Sequence, residues 1–140
     1  MLKSLLESRV KFLIVGAYAM AAYGYTRSTG DFDIWVENSS ENSVKLYKVL
    51  SDFGAPLKDI TPETFSNKDI VYQIGVAPVR IDVLTDIDGV SFKDAYKSKH
   101  DLVLDGLLLP FISKSDLIKN KRSTGRDRDV LDAQTLEDLE

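Results

Sequence analysis

The sequence contains no cysteine and only one histidine among its 140 residues. Without cysteine, the chain can form neither disulfide bonds nor thiolate-held metal centres. The single histidine, His100, offers neither a catalytic triad nor a histidine-based metal set, and we assign it no role. Chemistry that depends on cysteine thiols or on clustered imidazoles is therefore excluded.

The sequence also lacks a long hydrophobic run and an excess of positive charge. No stretch of eighteen apolar residues is present, so no membrane span is expected. The first twelve residues carry charges among their apolar positions and lack the core of a signal peptide. The net charge of −4 disfavours a broad nucleic-acid-binding face. We expect a single cytoplasmic domain spanning residues 1–140.

Hydrophobic periodicity predicts a mixed α/β (α+β) protein, with a small mixed β-sheet flanked by helices. Helices are predicted where apolar residues recur at helical spacing, and strands where they alternate or form short runs. A hairpin is predicted with its turn at Ala77-Pro78, and a second turn at Asp105-Gly106. The segment 37–43 is predicted to be a loop. In chain order, the predicted helices cover 2–9, 17–23, 44–54, 91–98, 113–123 and 126–140, and the predicted strands cover 11–16, 31–37, 69–76, 79–85 and 100–112.

Two aspartates, Asp31 and Asp33, stand one residue apart in the predicted strand "DFDIWVE". Side chains at i and i+2 of a strand share a face and lie roughly 6–7 Å apart. Two carboxylates at that distance repel by about 2–3 kcal/mol at an effective dielectric constant of ~20. A divalent cation between them would reverse the sign of this interaction. The alternative is a solvent-facing pair, which is common for an isolated Asp-x-Asp.

A third carboxylate, Asp82, alternates with apolar residues in "RIDVLT" and shares a face with Arg80 and Leu84. If this strand lies beside the first, Asp82 completes a cluster with Asp31 and Asp33. Carboxylate oxygens are the ligands that magnesium prefers. Taken alone, an aspartate in a strand is also explained by exposure to solvent.

Two segments near the aspartate pair are candidates for phosphate binding. Gly16 and Ala17 connect a predicted strand to a helix, and the unpaired N–H groups and dipole of a helix start attract anions. Arg27 and Thr29 directly precede the aspartates and could hold phosphate or order the loop. A plain tight turn and a surface loop are the respective alternatives.

The third candidate region is basic. Six of the 18 lysines and arginines lie between residues 114 and 128. Lys121 falls three and four residues after apolar positions, on the inward side of its helix, where a lysine either reaches outward or meets an anion. Asp129 and Asp132 share a helix face and could pair with Arg126 or Arg122. A solvated, charge-rich helix end remains the alternative.

The combination of these features resembles the nucleotidyltransferase superfamily with the polymerase-beta-like fold. The resemblance rests on an apolar strand, Gly16-Ala17, a helix, "R-x-T-x-D-x-D" and a later aspartate flanked by apolar residues. The family usually has Gly-Gly or Gly-Ser where this chain has Gly16-Ala17, so a serine contact to phosphate is missing. The segment from Pro110 to Leu136 resembles small AbiEii-type toxin nucleotidyltransferases. The matching segments cover under half of the chain.

This resemblance implies a minimal nucleotidyltransferase fold and a set of residue roles. Asp31, Asp33 and Asp82 would bind magnesium, with two ions expected, and Asp82 would help to remove the acceptor's proton. Gly16, Ala17 and Lys121 would contact the nucleotide phosphates. The residues implied to support the site are Arg126, Arg128, Asp129 and Asp132.

The implied reaction transfers a nucleoside monophosphate from an NTP to a hydroxyl acceptor. The resemblance allows a tRNA 3′ end, a protein hydroxyl or a small molecule such as an antibiotic as the acceptor. It also allows a toxin role with an antitoxin or another partner subunit. Two alternatives stay open: a non-catalytic module that binds NTP and magnesium to regulate a partner, and a purely structural domain.

Overall fold

The fold is a six-stranded mixed sheet with helices packed against it. The computed structural model describes residues 1–26, 31–76 and 79–139, and at positions 76 and 79 it describes the backbone only. The strands are β1 (Phe12–Val15), β2 (Asp31–Val36), β3 (Val71–Val76), β4 (Val79–Leu84), β5 (His100–Leu104) and β6 (Leu107–Phe111). The helices are α1 (Leu2–Glu7), α2 (Gly16–Ala22), α3 (Ser40–Phe53), α4 (Phe92–Lys97), α5 (Lys114–Ser123) and α6 (Asp127–Asp138), with one 3₁₀ turn at Thr64–Ser66.

The order of the strands across the sheet is β3-β4-β2-β1-β6-β5. Strand β2 pairs with β1 in antiparallel fashion and with β4 in parallel fashion, so it occupies the centre. The hairpin β3–β4 forms one edge, and the hairpin β5–β6 forms the other. The predicted fold class, a small mixed sheet flanked by helices, is confirmed.

Helices pack against both faces of the sheet, because successive side chains of β2 project to opposite faces and several of them are apolar. Phe32 contacts Tyr18 of α2 on one face, with ring centroids 4.5 Å apart. Trp35 projects from the opposite face and meets Phe92 of α4 edge-on at 5.1 Å. Trp35 is only 1% exposed, so it belongs to the core. The aspartates of β2 share the face of Trp35.

Helix α3 begins earlier than the sequence predicts. The segment 37–43 was expected to be a loop, but residues 40–43 form the first turn of α3. The Ser39 side chain caps this turn by accepting a hydrogen bond from the Asn42 backbone N–H. Asn42 and Ser43 are buried but satisfied, since Asn42 bonds the backbone of Lys11 and Ser43 bonds that of Pro62. The polar composition of residues 37–43 is typical of a loop, so the sequence pattern did not indicate that the helix begins at Ser40.

The predicted pairing of β3 with β4 and the predicted turn at Asp105-Gly106 are both present. Asp105 (φ 50°) and Gly106 (φ 78°) take the two left-handed positions of a tight turn between β5 and β6. Strands β3 and β4 pair from Val71↔Leu84 to Val76↔Val79, while their predicted turn residues, Ala77 and Pro78, lie outside the described residues. Within the described ranges, no helix has the length and apolar character needed to cross a membrane.

Candidate active site

The candidate site is centred on the acidic face of β2 and β4. The parallel register pairs Asp33 with Asp82 and Asp31 with Arg80, and residues paired across a ladder project from the same face. The two strands are neighbours although almost fifty residues separate them in sequence. The predicted convergence of Asp31, Asp33 and Asp82 on one face is therefore present, and their catalytic roles stay predictions.

Arg80 lies within this cluster, and sequence reasoning assigned it no role. Its Nη2 donates a hydrogen bond to Asp31 Oδ2 at 2.8 Å, and its Nε lies 3.2 Å from Asp82 Oδ1. The second contact is poorly directed, because neither Nε nor Oδ1 makes a hydrogen bond among the described residues. The sequence could have indicated this position, because Arg80 stands two residues before Asp82 in a predicted strand and therefore shares its face.

Gly16 makes room for the Asp33 carboxylate. A Cβ atom added to Gly16 would lie 2.1 Å from Asp33 Oδ2, well inside any tolerated contact. Gly16 also has a φ of +70°, which L-residues rarely adopt. The glycine predicted for a phosphate turn thus has a second function, which is to let the backbone approach the carboxylate.

Asp33 carries an unfavourable charge in this setting. Burial raises the pKa of Asp33 to about 6, and the charges of Asp82 and Asp31 and a hydrogen bond with Asp82 add to the effect. The positive charge of Lys121 opposes the shift without cancelling it. An additional cation beside Asp33 would relieve this repulsion.

The start of α2 lies beside Asp33, as predicted. Val15 is the N-cap residue and makes no side-chain capping bond to the first turn, which begins at Gly16 and Ala17. Phosphate binding by these backbone groups stays a prediction. Arg27 and Thr29, predicted to assist it, lie outside the described residues.

A cavity of about 260 Å³ opens next to Asp33. Its walls come from the start of α2, the loop after β4 and the end of α5. Sequence reasoning missed Asp86, Asp88, Asn120 and Thr124 in this lining. A second Asp-x-Asp directly after β4 was a visible signal, but loop residues have no periodicity that fixes their direction. The complete lining is Val15, Gly16, Asp33, Leu84, Asp86, Ile87, Asp88, Asn120, Lys121, Thr124, Arg126 and Asp129.

Lys121 points into this cavity, on the inward side of its helix as predicted. Its side chain is 15% exposed, and its Nζ lies 3.4 Å from Asp129 Oδ1 and 3.8 Å from Asp132 Oδ2. Asp129 Oδ2 accepts further hydrogen bonds from Thr124 Oγ1 at 2.8 Å and from Arg126 Nε at 2.7 Å. Asp129 and Asp132 are both buried, and the predicted pairing of Asp129 with Arg126 is present.

Asp129 differs electrostatically from Asp33. Burial alone would raise the pKa of Asp129, but the hydrogen bond from Thr124 and the charges of Lys121 and Arg126 outweigh burial. The pKa therefore lies below its ordinary value. This carboxylate is compensated within the fold.

Two arginines of the basic segment, Arg122 and Arg128, do not line the cavity beside Asp33 in the described part of the chain. Arg122 forms an exposed ion pair with Glu137, so the suggested pairing of Arg122 with Asp129 or Asp132 is wrong, because its guanidinium is engaged near the C-terminal end of α6. Arg128 is exposed and is absent from the cavity lining in the described part of the chain. Its supporting role stays a prediction.

The donor set fits a divalent cation in chemistry, with one rearrangement. Asp31, Asp33 and Asp82 offer hard carboxylate oxygens on one face, and Asp82 Oδ1 is buried without a hydrogen bond among the described residues. In residues 1–26, 31–76 and 79–139, however, no three acidic, histidine or cysteine side chains are arranged as ligands of one ion. Arg80 lies between Asp31 and Asp82, so it must withdraw before a cation can take its place.

Comparison with solved structures defines the class of fold. The sequence matches no protein-family model and no curated protein sequence. Nevertheless, the structure superposes along nearly its whole length on nucleotidyltransferases, so the fold inferred from the resemblance is confirmed.

Two of these structures are informative. One is a candidate nucleotidyltransferase of Thermotoga maritima (TM1012), with a TM-score of 0.63, 17% identity, and coverage of 96% of this chain and 84% of that chain. The other is the lincosamide antibiotic adenylyltransferase LnuA in its lincomycin-bound form, with a TM-score of 0.58, 13% identity, and coverage of 99% and 93%. At these identities the likeness concerns the fold.

Proposed function

We propose that the protein is a magnesium-dependent nucleotidyltransferase that transfers a nucleoside monophosphate from an NTP to a hydroxyl group. The observation that carries this proposal is the register of β2 and β4, which brings Asp31, Asp33 and Asp82 to one face. Of the three, Asp33 lines the cavity that also contains Lys121. A cytoplasmic location, where NTP and magnesium are both abundant, suits this activity.

The cavity is the proposed position of the triphosphate. Lys121 and Arg126 supply positive charge there, and the backbone of Gly16 and Ala17 supplies donors at the start of α2. The volume of about 260 Å³ is below the roughly 300–1,000 Å³ of pockets that enclose a whole ligand. The phosphates would therefore be enclosed, while the base would lie toward the cavity mouth.

The three strand aspartates are the proposed ligands of two Mg²⁺ ions. When bound, these ions would stabilise the charge on the attacking and leaving oxygens of an in-line displacement. The acceptor oxygen forms a bond to the α-phosphorus, and the bond from that phosphorus to the β-phosphate oxygen breaks. Asp82 takes the acceptor's proton, and pyrophosphate leaves.

The acceptor is either a macromolecule or a small molecule. A tRNA 3′ end or a protein hydroxyl would fit a toxin that is held in check by an antitoxin or partner subunit. One observation favours a small hydroxylated molecule. The superposition covers 93% of LnuA, a protein whose structure contains bound lincomycin. A fold of nearly this size therefore accommodates an antibiotic in that protein.

The competing class is a non-catalytic module that binds NTP and magnesium. Such a module would bind nucleotide without turnover. The presence of a third carboxylate, Asp82, at the centre of the cluster favours the enzyme, because binding a single Mg·NTP does not require it.

The decisive experiment offers each α-labelled NTP with magnesium to three acceptor pools: cellular RNA, cellular protein and hydroxylated antibiotics. We expect label in one pool, and we expect Asp33→Asn to abolish it. Asp101→Asn is the matched control, since it removes an exposed carboxylate from an ion pair with Lys99 outside the site. Label that survives in folded Asp33→Asn would refute the assignment, and nucleotide binding without label in any pool would favour the non-catalytic module.

A further inference from the structure

The starting observation is the position of Arg80 inside the proposed metal site. The register places Arg80 beside Asp31 and two residues before Asp82, all on one face of the sheet. Its guanidinium contacts both carboxylates, at 2.8 Å and 3.2 Å. The guanidinium group carries a full positive charge and a forked set of donors, so it acts here as an internal cation held by two carboxylates.

The two halves of this contact are unequal. The bond to Asp31 is short and well directed, whereas Arg80 Nε and Asp82 Oδ1 are both buried without a hydrogen bond among the described residues. A buried charged group without a well-directed bond is poorly compensated. The bridge to Asp82 is therefore the weaker half, and a divalent cation with closer oxygen coordination can replace it.

Arg80 is also able to leave. Its side chain is 33% exposed, and Asp31 is 39% exposed, so the guanidinium has a route to solvent on that side of the cluster. Asp82, by contrast, is 12% exposed and stays in place. Of Arg80 and Asp82, Arg80 is therefore the side chain that has room to move toward solvent.

We propose that Arg80 is a displaceable internal cation that competes with Mg²⁺ for Asp31 and Asp82. In the absence of nucleotide, it occupies the carboxylates and keeps the affinity for free divalent cations low. When the cation arrives with a triphosphate, Arg80 swings out toward the substrate, whose negative charge attracts the released guanidinium. Arg80 is therefore a positioning residue that couples metal loading to nucleotide binding. This inference rests on the proposed function.

The test measures Mn²⁺ binding to the nucleotide-free protein by titration calorimetry, because carboxylates also bind Mn²⁺. We expect Arg80→Gln to bind Mn²⁺ about tenfold more tightly than the wild type, since the competing charge-assisted contact is gone. Arg80→Lys, which keeps the charge but loses the forked geometry, should fall between them. Lys45→Gln is the matched control, because it removes a cation from a surface pair on α3.

The melting temperature gives a second readout. Without cations, Arg80→Gln should melt below the wild type, and Mn²⁺ should raise its melting temperature more than that of the wild type. Unchanged or weaker Mn²⁺ affinity in folded Arg80→Gln and Arg80→Lys, with wild-type binding still dependent on Asp33, would overturn the inference alone. If Asp33→Asn has no effect on Mn²⁺ binding with nucleotide present, the proposed metal site itself is wrong and the inference falls with it.

Discussion

Two neighbouring groups of buried or half-buried carboxylates differ in the direction in which their surroundings shift the pKa. In the strand cluster, Asp31, Asp33 and Asp82, the ion pairs of Arg80 reach Asp31 and Asp82, while the pKa of Asp33 is raised to about 6. The helix cluster, Asp129 and Asp132, is surrounded by Lys121, Arg126 and Thr124, and the pKa of Asp129 is lowered. Burial acts in the same direction on Asp33 and Asp129, so the difference comes from the partners.

We interpret this difference as one between acids that stabilise the fold and acids that are candidates for a functional role. The helix cluster is satisfied by the chain itself and holds α5 and α6 together. In the strand cluster, the pKa of Asp33 stays raised although Lys121 lowers it, and groups with such perturbed pKa values concentrate at functional sites. Each of the following substitutions tests one side of this contrast.

The largest effect is expected from Gly16→Ala, which attacks the strand cluster. The added Cβ would collide with Asp33 Oδ2 and would require an L-residue at φ +70°. We expect a loss of about 2–4 kcal/mol in the free energy of unfolding, and roughly 100-fold in transfer rate, because Asp33 must move. Urea unfolding and the label-transfer assay would measure the two losses.

Gly54→Ala is the matched control. Gly54 has a φ of +87° but open space around its Cβ position, so this variant tests the backbone cost alone, about 1 kcal/mol. Equal losses in the two variants would show that contact with Asp33 is unimportant.

The next effect is expected from Lys121→Met, which breaks the helix cluster. Asp129 and Asp132 would keep their burial but lose their shared cation, and removing one partner of a buried ion pair costs about 3–5 kcal/mol. Arg126 and Thr124 remain on Asp129, so we expect about 2–3 kcal/mol in urea unfolding at pH 7. Lys99→Met, in an ion pair whose Asp101 side chain is 47% exposed, should change stability by less than about 0.5 kcal/mol.

Asp33→Asn should have the opposite sign and stabilise the cation-free protein. The raised pKa means that ionisation of Asp33 is harder in the folded than in the unfolded state. Below about pH 4 the group is protonated in both states and costs nothing, whereas between pH 4 and 6 the folded state loses stability. At pH 7 the asparagine variant should be more stable by about 2 kcal/mol, after a discount for partial exposure.

Urea unfolding at pH 7 and pH 4 checks this expectation, since the gain should vanish at the lower pH. Asp52→Asn, on the exposed side of α3, is the matched control, since a surface substitution there should change stability at pH 7 by less than about 0.5 kcal/mol. If Asp33→Asn is destabilising at pH 7, the charge of Asp33 is stabilised by its partners. The proposed difference between Asp33 and Asp129 would then be wrong.

The smallest effect is expected from Arg122→Gln. Arg122 pairs with Glu137 on the surface of α5 and α6, outside the Asp129–Asp132 cluster. Surface ion pairs contribute little to stability, so neither unfolding nor label transfer should change measurably. A clear loss of transfer would place Arg122 in the site after all.

Sequence reasoning succeeded where periodicity governs the structure. Alternation along β2 and β4 fixes which side chains share a face, and the small residues around Gly16 mark the strand-to-helix turn. It failed at the start of α3, where the buried Asn42 and Ser43 make long-range bonds that no local pattern reveals. Asp86 and Asn120 enter the cavity through tertiary packing, which is also invisible to local patterns.

The parallel pairing of β2 with β4 also has a consequence for biosynthesis. The cluster cannot exist until a segment some fifty residues further along the chain has been made and docked, because Asp82 reaches Asp33 only through that long-range ladder. Forming a contact of such sequence separation first requires the chain entropy of closing a long loop to be overcome. An incomplete nascent chain therefore presents its first two aspartates without the third.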